Sequence, residues 1–463
     1  MTLAFQAAPL LLLLALLASG RVGPLPACGL ALAAAIPAVL MSLPADAALA
    51  DFLLHESLRA AFLAFQPIAV VAGGLLFHAA VERPAGDAHR APSPARIFAA
   101  VLPLGAFLES VTGFAVGAVF ALSALRGMGI RGAVAIALAV QSQVMVPWGA
   151  LGPGSALGAA LADVPAQEFV GLVAWPNAAW IVSLTPLLWW LQARAGVPVP
   201  GREKAMQALM TAVMAALLVA LHAILPFETV GLVASGVVAV WALWRSDPPR
   251  DLGTALRASW PYLLLTACLL AARLVPHPPA WRPFPELPGI PVTHVAVVLW
   301  IVGFALLMLR PDGMARAAAA LHRARRPAAA MLLYVLLGRW LAGSGVALAL
   351  AQALIGGKGV AAAYAIVPMG FLSGVITGSN VGGNAALMPM QAALGQALGL
   401  PPLLAPALHN FASAAGAGMS IAATAMLCML LADGTRPVQV WRLLLPSMAL
   451  ALLCGTGALI FLR

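Results

Sequence analysis

Charged residues are scarce in this sequence. Asp, Glu, Lys and Arg together make up 9% of its 463 residues, whereas apolar types make up 63% and the mean hydropathy is +0.99. A soluble domain carries about 25% charged residues, and no soluble core has room for this much apolar surface. The sequence therefore predicts an all-α, polytopic membrane protein.

Acidic residues are the scarcer of the two charge signs. There are 15 Asp and Glu against 25 Lys and Arg, for a formal net charge of +10. In a soluble chain this excess would suggest nucleic acid, but here the basic residues concentrate between apolar runs. Cytoplasmic loops that face anionic lipid account for this pattern. We expect membrane lipids as neighbours and no nucleic-acid partner.

Motifs for catalysis and metal binding are also missing. The four cysteines lie singly in apolar stretches, with neither zinc-ligand nor redox spacing. Gly356-Gly-Lys358-Gly lacks the spacing of a phosphate-binding loop. Ser344 with His409 has no acid to complete a serine–histidine arrangement, so an intramembrane enzyme is only a remote alternative. We predict no enzyme, no catalytic residue, no metal and no cofactor beyond a coupling ion.

No Lys or Arg precedes the first apolar run, and Arg21 follows it. A secretory signal normally has a basic n-region, so we expect a retained span with its N-terminus outside. About twelve apolar runs approach the roughly 20 residues that a membrane span needs, if the two longest each count as one broken helix. They cover residues 3–20, 25–43, 58–80, 130–161, 168–191, 205–225, 229–244, 258–275, 291–309, 328–355, 402–432 and 440–462.

Two further apolar stretches, 97–125 and 360–390, are each too long for one span and too interrupted for two. They contain two copies of one motif at a constant offset of 265 residues. The matching positions are Pro103, Gly105, Thr112, Gly113, Val116 and Gly117 in the first copy, and Pro368, Gly370, Thr377, Gly378, Val381 and Gly382 in the second. We interpret both stretches as re-entrant hairpins, which enter and leave the membrane on the same face.

Loop charges orient these hairpins. Loops rich in Lys and Arg stay in the cytoplasm, and the loop 310–326 has several arginines against the single acid Asp312. All basic loops face the cytoplasm only if the first hairpin returns there instead of crossing. The first hairpin then opens to the cytoplasm and the second to the outside, so the two halves are inverted-topology repeats.

We therefore divide the chain into a first repeat (1–200), a linking helix pair (201–257) and a second repeat (258–463). Each repeat has a hairpin followed by a broken helix, at about 130–161 and about 402–432. Pro147 and Pro153 interrupt the first broken helix, because proline lacks a donor and clashes with the preceding turn. Irregular backbone survives in lipid only inside protein or along a wet cavity. We expect the two tips and the two breaks to meet in a transporter's binding site.

The hairpin tips carry the candidate binding residues. Backbone N–H groups at a helix N-terminus bind anions through unsatisfied donors and the positive end of the helix dipole. Glycine lets a ligand approach the backbone, although small residues at these positions can also serve close helix packing. The candidates for holding a small carboxylate are Thr112, Gly113, Thr377, Gly378, Ser379, Asn380 and Asn384.

Glu109 is the candidate for proton coupling, because acids inside the membrane are costly and usually mark an ion or proton path. The alternative is a glutamate at the hairpin mouth, in water or paired with an arginine such as Arg96 or Arg126. His409 is a second proton-site candidate, or a hydrogen-bonded packing residue. Arg339 either attracts the anion or extends to the cytoplasmic surface. Candidates for lining the cavity are Ser142, Gln143 and Asn410.

Three stretches resemble the bacterial L-lactate permease family. Gly105-Ala-Phe-Leu-Glu109-Ser-Val-Thr-Gly113-Phe114 is similar to its Gly-Ala-Phe-Leu-Glu-Gly-x-x-Gly-Phe-Gly stretch. Trp148-Gly-Ala-Leu-Gly152 is similar to its Phe-Gly-Ala-x-Gly segment, and Thr377 to Ala385 resembles its Thr-Gly-Ser-x-x-x-x-Asn-Ala signature. The resemblance covers about 100–190 and 365–430. It is that of a short, divergent member within the superfamily of hairpin-containing ion transporters.

This resemblance implies proton-driven uptake of L-lactate or a related 2-hydroxymonocarboxylate, such as glycolate, across the bacterial inner membrane. It also adds Phe114 to the substrate-binding residues. The sequence departs from the family pattern around the presumed site, where Asn380 replaces an acid and Ser142-Gln143 replaces Asn-Thr. The substrate is therefore left open, and a sodium-coupled symporter for another small organic anion is the alternative.

Overall fold

The computed structural model describes residues 2–44, 47–82, 91–113, 115–249 and 251–463. These residues are almost entirely helical. The first ten helices are α1 (Thr2–Ala18), α2 (Pro24–Leu40), α3 (Leu49–Val81), α4 (Pro94–Ala99), α5 (Gly105–Thr112), α6 (Val116–Gly127), α7 (Gly132–Val140), α8 (Pro153–Ala162), α9 (Ala166–Arg194) and α10 (Gly201–Ala220). The others are α11 (Phe227–Ser246), α12 (Leu252–Ala272), α13 (Val295–Met308), α14 (Gly313–Gly343), α15 (Val346–Ile355), α16 (Ile366–Thr377), α17 (Asn380–Ala397), α18 (Leu404–Gly418), α19 (Ile421–Leu431) and α20 (Pro437–Phe461).

Shorter elements join some of these helices. A π-helical turn (Ala100–Leu104) connects α4 to α5, and 3₁₀ segments occupy Gln141–Leu151, Leu221–Ala223 and Gly359–Ala365. Between α12 and α13, β1 (Ala280–Trp281) pairs antiparallel with β2 (Ile290–Pro291).

Nine helical segments among the described residues are long and apolar enough to cross a membrane. The pair α14–α15, bent by 71°, gives a tenth if it counts as one span. With so little charge in the chain, these segments make it a multi-pass membrane protein. The runs predicted at 3–20, 25–43, 258–275 and 291–309 are helical but shorter than full spans, since α1 and α2 have 17 residues each and α13 has 14. The predicted count of about twelve spans is therefore not confirmed.

The hairpin and broken-helix segments occur twice in the same order. In the first half, α4 and α5 lead to a break and α6, and α7 leads through an irregular segment to α8 and then α9. In the second half, the 3₁₀ segment at 359–365 and α16 lead to a break and α17, followed by α18, a break, α19 and α20. The division into two repeats and their inverted orientation stay predictions.

Each second hairpin arm folds back along the first. A Cβ added to Gly117 in α6 would lie 2.1 Å from the carbonyl oxygen of Gly105 in α5. In the second hairpin, a Cβ on Gly383 of α17 would lie 3.0 Å from Ser373 Oγ of α16. Segments 94–112 and 359–377 are nevertheless long enough to cross a membrane by themselves, so the re-entrant path stays a prediction too.

Contacts of the helix ends with one another and with loops fall into two groups at opposite ends of the helices. One group joins Glu203 with Arg245, Glu82 with Arg310, and Gly132 with Asp433. The other joins Glu228 with Arg273, Arg59 with Glu286, and Gln167 with Leu225. Every pair joins segments that the charge pattern assigns to the same side, cytoplasmic for the first group and external for the second.

The long helices α3 and α14 run antiparallel against each other. Arg339 near the end of α14 donates to Glu56 near the start of α3, over 2.9 Å from Nε to Oε2. At the opposite end, Arg316 donates to the carbonyl oxygen of Ala79 over 3.3 Å. Glu56 is 5% exposed and also accepts from Arg59 at 2.6 Å. Arg339 is therefore neutralised in an ion-pair cluster between two helices.

Candidate functional site

The irregular segments of both halves surround one cavity of about 360 Å³. From the first half it is lined by Glu109, Gly113, Ala115, Gln143, Val146, Gly149, Ala150, Pro153 and Gly154. From the second half it is lined by Thr377, Gly378, Ser379, Asn380, Val381, Ala417, Gly418, Ala422, Ala423 and Met426. Helix α14 adds Pro327, Ala330, Met331 and Tyr334, and single residues of α2 and α3 complete the lining. Two hairpin tips and two helix breaks thus share one space.

The cavity has little charge. Among the described residues that line it, Glu109 is the only one with a charged side chain, and none is Lys, Arg or His. Arg339, a candidate from the sequence, is occupied by Glu56. An anion in this cavity must therefore be held by backbone N–H groups and neutral polar side chains.

The tip of the first hairpin is built around Glu109. Gly113 has φ 65° and ψ −161°, which only glycine adopts without strain, and Ala115 is left-handed at φ 59°. This turn aims the start of α6 at the Glu109 carboxylate. Its Oε1 accepts from Ala115 N–H at 3.3 Å, and its Oε2 accepts from Gly117 N–H at 3.2 Å.

Glu109 has a third donor, from the first broken helix. Gln143 Nε2 donates to Glu109 Oε2 at 3.1 Å. The carboxyl is 3% exposed and still lines the cavity. The arginine partners considered from the sequence lie elsewhere, because Arg96 donates to Ala91 O and Arg126 to Leu430 O. Glu109 is thus held by neutral donors at a helix N-terminus, beside the cavity.

The first broken helix is interrupted at several positions near its centre. Met145, Gly149 and Ala150 depart from helical φ/ψ, and Ala150 and Leu151 have positive φ. Ser155 Oγ donates to the carbonyl oxygen of Pro147 over 2.6 Å, which satisfies an acceptor freed by the break. The tip glycine Gly113 packs on this break, since a Cβ there would lie 2.7 Å from that of Ala150.

The tip of the second hairpin is capped differently. Gly378 is left-handed at φ 68°, and Ser379 is extended and caps α17 by accepting from Gly382 N–H at 3.4 Å. The N–H groups of Asn380 and Val381 lie in the first turn, where a helix offers them no acceptor. Both residues line the cavity, so this N-terminus presents donors to it.

Three asparagines and a serine form a buried network behind the second tip. Asn384 Nδ2 donates to Gly154 O (2.9 Å) and to Asn410 Oδ1 (2.7 Å), and Asn380 Nδ2 also donates to Asn410 Oδ1 (3.0 Å). Asn410 Nδ2 in turn donates to Ser155 Oγ over 2.9 Å. The network joins α17 and α18 to α8 across the two halves.

The carbonyl of Gly154 fixes the amide orientations in this network. It is only an acceptor, so Asn384 must offer its nitrogen there, and Asn410 must then offer its oxygen to the other two asparagines. As a result, Oδ1 of Asn380 and Oδ1 of Asn384 have no donor among the described residues. Asn380 is 7% exposed and lines the cavity, and its unpaired Oδ1 is buried beside it.

Not all predicted site residues line the cavity. Thr112 Oγ1 donates to Leu108 O (2.6 Å) in α5, and Ser142 Oγ donates to Ala139 O (2.7 Å) at the end of α7. Asn384 and Asn410 are fully buried in the network behind the lining. His409 Nε2 lies 3.3 Å from Gly383 O inside the second hairpin and is also fully buried. Phe114 lies outside the described residues.

Sequence reasoning missed the wall contributed by α14. Tyr334, one of three tyrosines in the chain, is 3% exposed and lines the cavity with Met331 and Pro327. A tyrosine in a long apolar helix was an available signal. The repeated motif does not point to Tyr334, because α14 lies outside both hairpins and both broken helices.

No family model matches the chain, and no curated protein matches it in sequence. The resemblance to the lactate permease family therefore stays a prediction. Among solved structures, the chain is similar to the crystal structure of the YdaH transporter from Alcanivorax borkumensis, described as having an unusual topology, with 16% identity and a TM-score of 0.48. The match covers 91% of this chain and 89% of that chain.

Proposed function

We propose that the protein is a secondary transporter that carries a small 2-hydroxymonocarboxylate, such as L-lactate or glycolate, together with a proton across the bacterial inner membrane. The observation that carries this proposal is the single cavity at which two hairpin tips and two helix breaks meet. Broken helices that face each other across a cavity are the usual binding architecture of secondary transporters built from inverted repeats. The resemblance of the tip motifs to lactate permeases supports the same class.

The substrate carboxylate binds at the N-terminus of α17 in this proposal. Asn380 and Val381 offer N–H donors there, next to the positive end of the helix dipole. The free Oδ1 of Asn380 then accepts from the substrate's 2-hydroxyl group. A fixed donor set beside a fixed acceptor suits a 2-hydroxy acid better than a simple fatty acid, because the fatty acid leaves the acceptor unpaired.

Glu109 carries the proton in this proposal. It is the only charged side chain among the described lining residues, and buried intramembrane acids usually serve ion or proton paths. A carboxylate substrate and an ionised Glu109 repel each other across the same cavity, so binding of the anion favours protonation of Glu109. Transport of proton and anion together is then electroneutral.

The test is transport in proteoliposomes that contain the purified protein. Exchange of labelled L-lactate or glycolate should occur without any gradient, and a pH gradient, acid outside, should drive accumulation that an uncoupler abolishes. Glu109→Gln should retain exchange but lose pH-driven accumulation. Glu168→Gln, at an exposed position at the start of α9, is the matched control and should behave like the wild type.

Two results would contradict the proposal. Absence of exchange with every small monocarboxylate would remove the substrate class. Undiminished pH-driven accumulation by Glu109→Gln would remove Glu109 from the coupling step. Substrate conversion in detergent, without any membrane, would instead indicate an enzyme.

A sodium-coupled carrier is the second candidate, and one observation favours it. Asn380 and Asn384, one helical turn apart on α17, both have a buried side-chain oxygen without a donor. Unpaired oxygens are ligands that a hard cation accepts. Accumulation that follows a sodium gradient at equal pH on both sides would select this candidate over the proton-coupled one.

A further inference from the structure

We infer that the Glu109 carboxyl group, ionised or protonated, occupies one of two equivalent carboxylate sites, and thereby restricts the carrier to substrates with a single carboxylate. This inference rests on the proposed function and deepens it. It assigns to Glu109 a role in selecting the substrate, in addition to its role in carrying the proton.

The first site is the N-terminus of α6. There Ala115 N–H and Gly117 N–H, at 3.3 and 3.2 Å, bind the two oxygens of one carboxylate, and Gln143 adds a third donor. These are the contacts that a helix N-terminus makes with a bound anion. Here the anion belongs to the protein itself, because Glu109 lies on the opposite arm of the same hairpin.

The second site is the N-terminus of α17, at the equivalent position of the other hairpin. At the offset of 265, Glu109 corresponds to Gly374, which has no side chain to reach the tip. Ser379 occupies only the Gly382 N–H. Asn380, more than nine-tenths buried and with an unpartnered oxygen, faces the same cavity. This N-terminus is therefore open to the carboxylate of a substrate.

The two sites share one cavity, so the second end of a substrate approaches Glu109. For a dicarboxylate this brings a second carboxylate toward a residue that already uses the available donors, and no Lys, Arg or His among the described lining residues compensates the charge. Two carboxylates that share a site cannot both stay ionised without cost. Removing the Glu109 side chain frees Ala115 N–H and Gly117 N–H for the second carboxylate.

The experiment compares L-lactate with L-malate, which has a carboxyl group in place of one methyl hydrogen of lactate. Counterflow of each labelled acid is measured in proteoliposomes without a proton gradient, for the wild type, Glu109→Ala and Glu109→Gln. The wild type should exchange lactate and exclude malate. Glu109→Ala should raise the malate-to-lactate ratio by at least about tenfold, equivalent to 1.4 kcal/mol. Glu109→Gln is the matched control, because its side chain still fills the site and its amide oxygen still accepts from one of the two N–H groups; it should exclude malate.

The outcomes separate this inference from the proposed function. If the wild type exchanges lactate and malate equally, the inference is wrong and the proposed function is unaffected. The same holds if Glu109→Ala exchanges lactate but does not exchange malate. Wild-type protein that exchanges no monocarboxylate overturns the proposed function and the inference with it. If Glu109→Ala is inactive with both acids, thermal stabilisation of purified Glu109→Gly by malate decides: a rise in Tm supports the inference, and no change overturns it.

Discussion

The two hairpins have the same motif but satisfy their tips by different means. In the first, the N-terminus of α6 is occupied by Glu109 from the opposite arm, and a left-handed alanine, Ala115, precedes the helix. In the second, α17 is capped by its own neighbour, Ser379, after a left-handed glycine, Gly378. The second hairpin therefore caps its second arm without a buried acid.

The pattern extends to the helices that pack against the tips. After the hairpins the two halves align at an offset of 270 residues, with Gly129 on Gly399 and Ala137 on Ala407. At this offset Gln143, which donates to Glu109, corresponds to Ser413, whose hydroxyl has no partner among the described residues. Conversely, Asn410 at the centre of the asparagine network corresponds to Val140. Each half thus has its own polar device, an acid with donors in the first and an amide network in the second. The two halves therefore have similar helices and breaks but different buried polar residues.

The largest effect is expected at a pair of equivalent glycines. A Cβ at Gly117 would lie 2.1 Å from the carbonyl oxygen of Gly105, whereas one at Gly382 would lie no closer than 3.1 Å, to Thr377 Cβ. Gly117→Ala should therefore cost about 3 kcal/mol or more, and Gly382→Ala about 1 kcal/mol. Thermal unfolding in detergent measures both. Equal destabilisation would show that the arms of the two hairpins pack equally closely.

Asn410→Val introduces into the second half the residue found at the equivalent position of the first half, Val140. It leaves Asn380 Nδ2 without its acceptor in a buried region, where an unsatisfied group costs about 1–3 kcal/mol, while Ser155 Oγ keeps its hydrogen bond to Pro147 O. We expect a lower Tm and a loss of transport, because Asn380 is no longer held in place. A variant with wild-type Tm and exchange would mean that the network does not position the site.

Ser379→Ala removes the cap of α17. Loss of such a cap typically costs about 0.5–2 kcal/mol, and here the substrate affinity should fall as well, because the first turn of α17 frays beside the cavity. Ser93→Ala removes a comparable cap, from Arg96 N–H at 3.3 Å, outside the cavity lining. It should lower stability similarly without changing the exchange KM. If both variants change KM alike, the α17 terminus has no special role.

The smallest effect is expected where the halves meet at one end. Asp433, after α19, accepts from Thr435 and from Gly132 N–H at the start of α7, and these hydrogen bonds lower the pKa of its carboxyl. Because the pKa is lower in the folded state, the Asp433 carboxylate stabilises the fold at pH values above its unfolded pKa of about 3.9. This stabilisation is lost as the pH falls through the folded-state pKa. Asp433→Asn should therefore lower the Tm slightly at pH 7. The difference from the wild type should shrink below about pH 4; a difference independent of pH would exclude this carboxylate as its source.

Helices and their breaks were predictable because they depend on local sequence. The long apolar runs are helical, and the hairpin turns occur at Gly113 and Gly378, where positive φ requires glycine or a tolerant residue. The first hairpin begins at Pro94 rather than near 97, since Ser93 caps α4 and proline suits a first helical turn. The bend of 71° between α14 and α15 was missed, because Gly345 was read as part of one continuous run.

Contacts across the fold were not predictable in the same way. The sequence indicated Glu109, Gln143 and Asn380 as polar residues near breaks, but not that Glu109 takes its donors from its own hairpin. The sequence predicts Asn384 as a binding residue from its place in the second tip motif, and His409 as a proton site because it is titratable inside an apolar run. Their fully buried positions behind the lining depend on how α17 packs against α8 and α18, which no local pattern specifies.

The neutral donors around Glu109 have an electrical consequence. In the proposed proton symporter, the empty cavity with Glu109 ionised holds one net negative charge, because no cation is among the described lining residues. The cavity loaded with a proton and a monoanion holds the same net charge. Any movement of this charge through the field is worth up to about 2.3 kcal/mol per 100 mV. A potential that is negative inside therefore drives both forms toward the external face. Without substrate, we expect voltage steps to produce transient currents in the wild type and none in Glu109→Gln. The membrane potential then determines whether the substrate-free protein faces the cytoplasm or the outside.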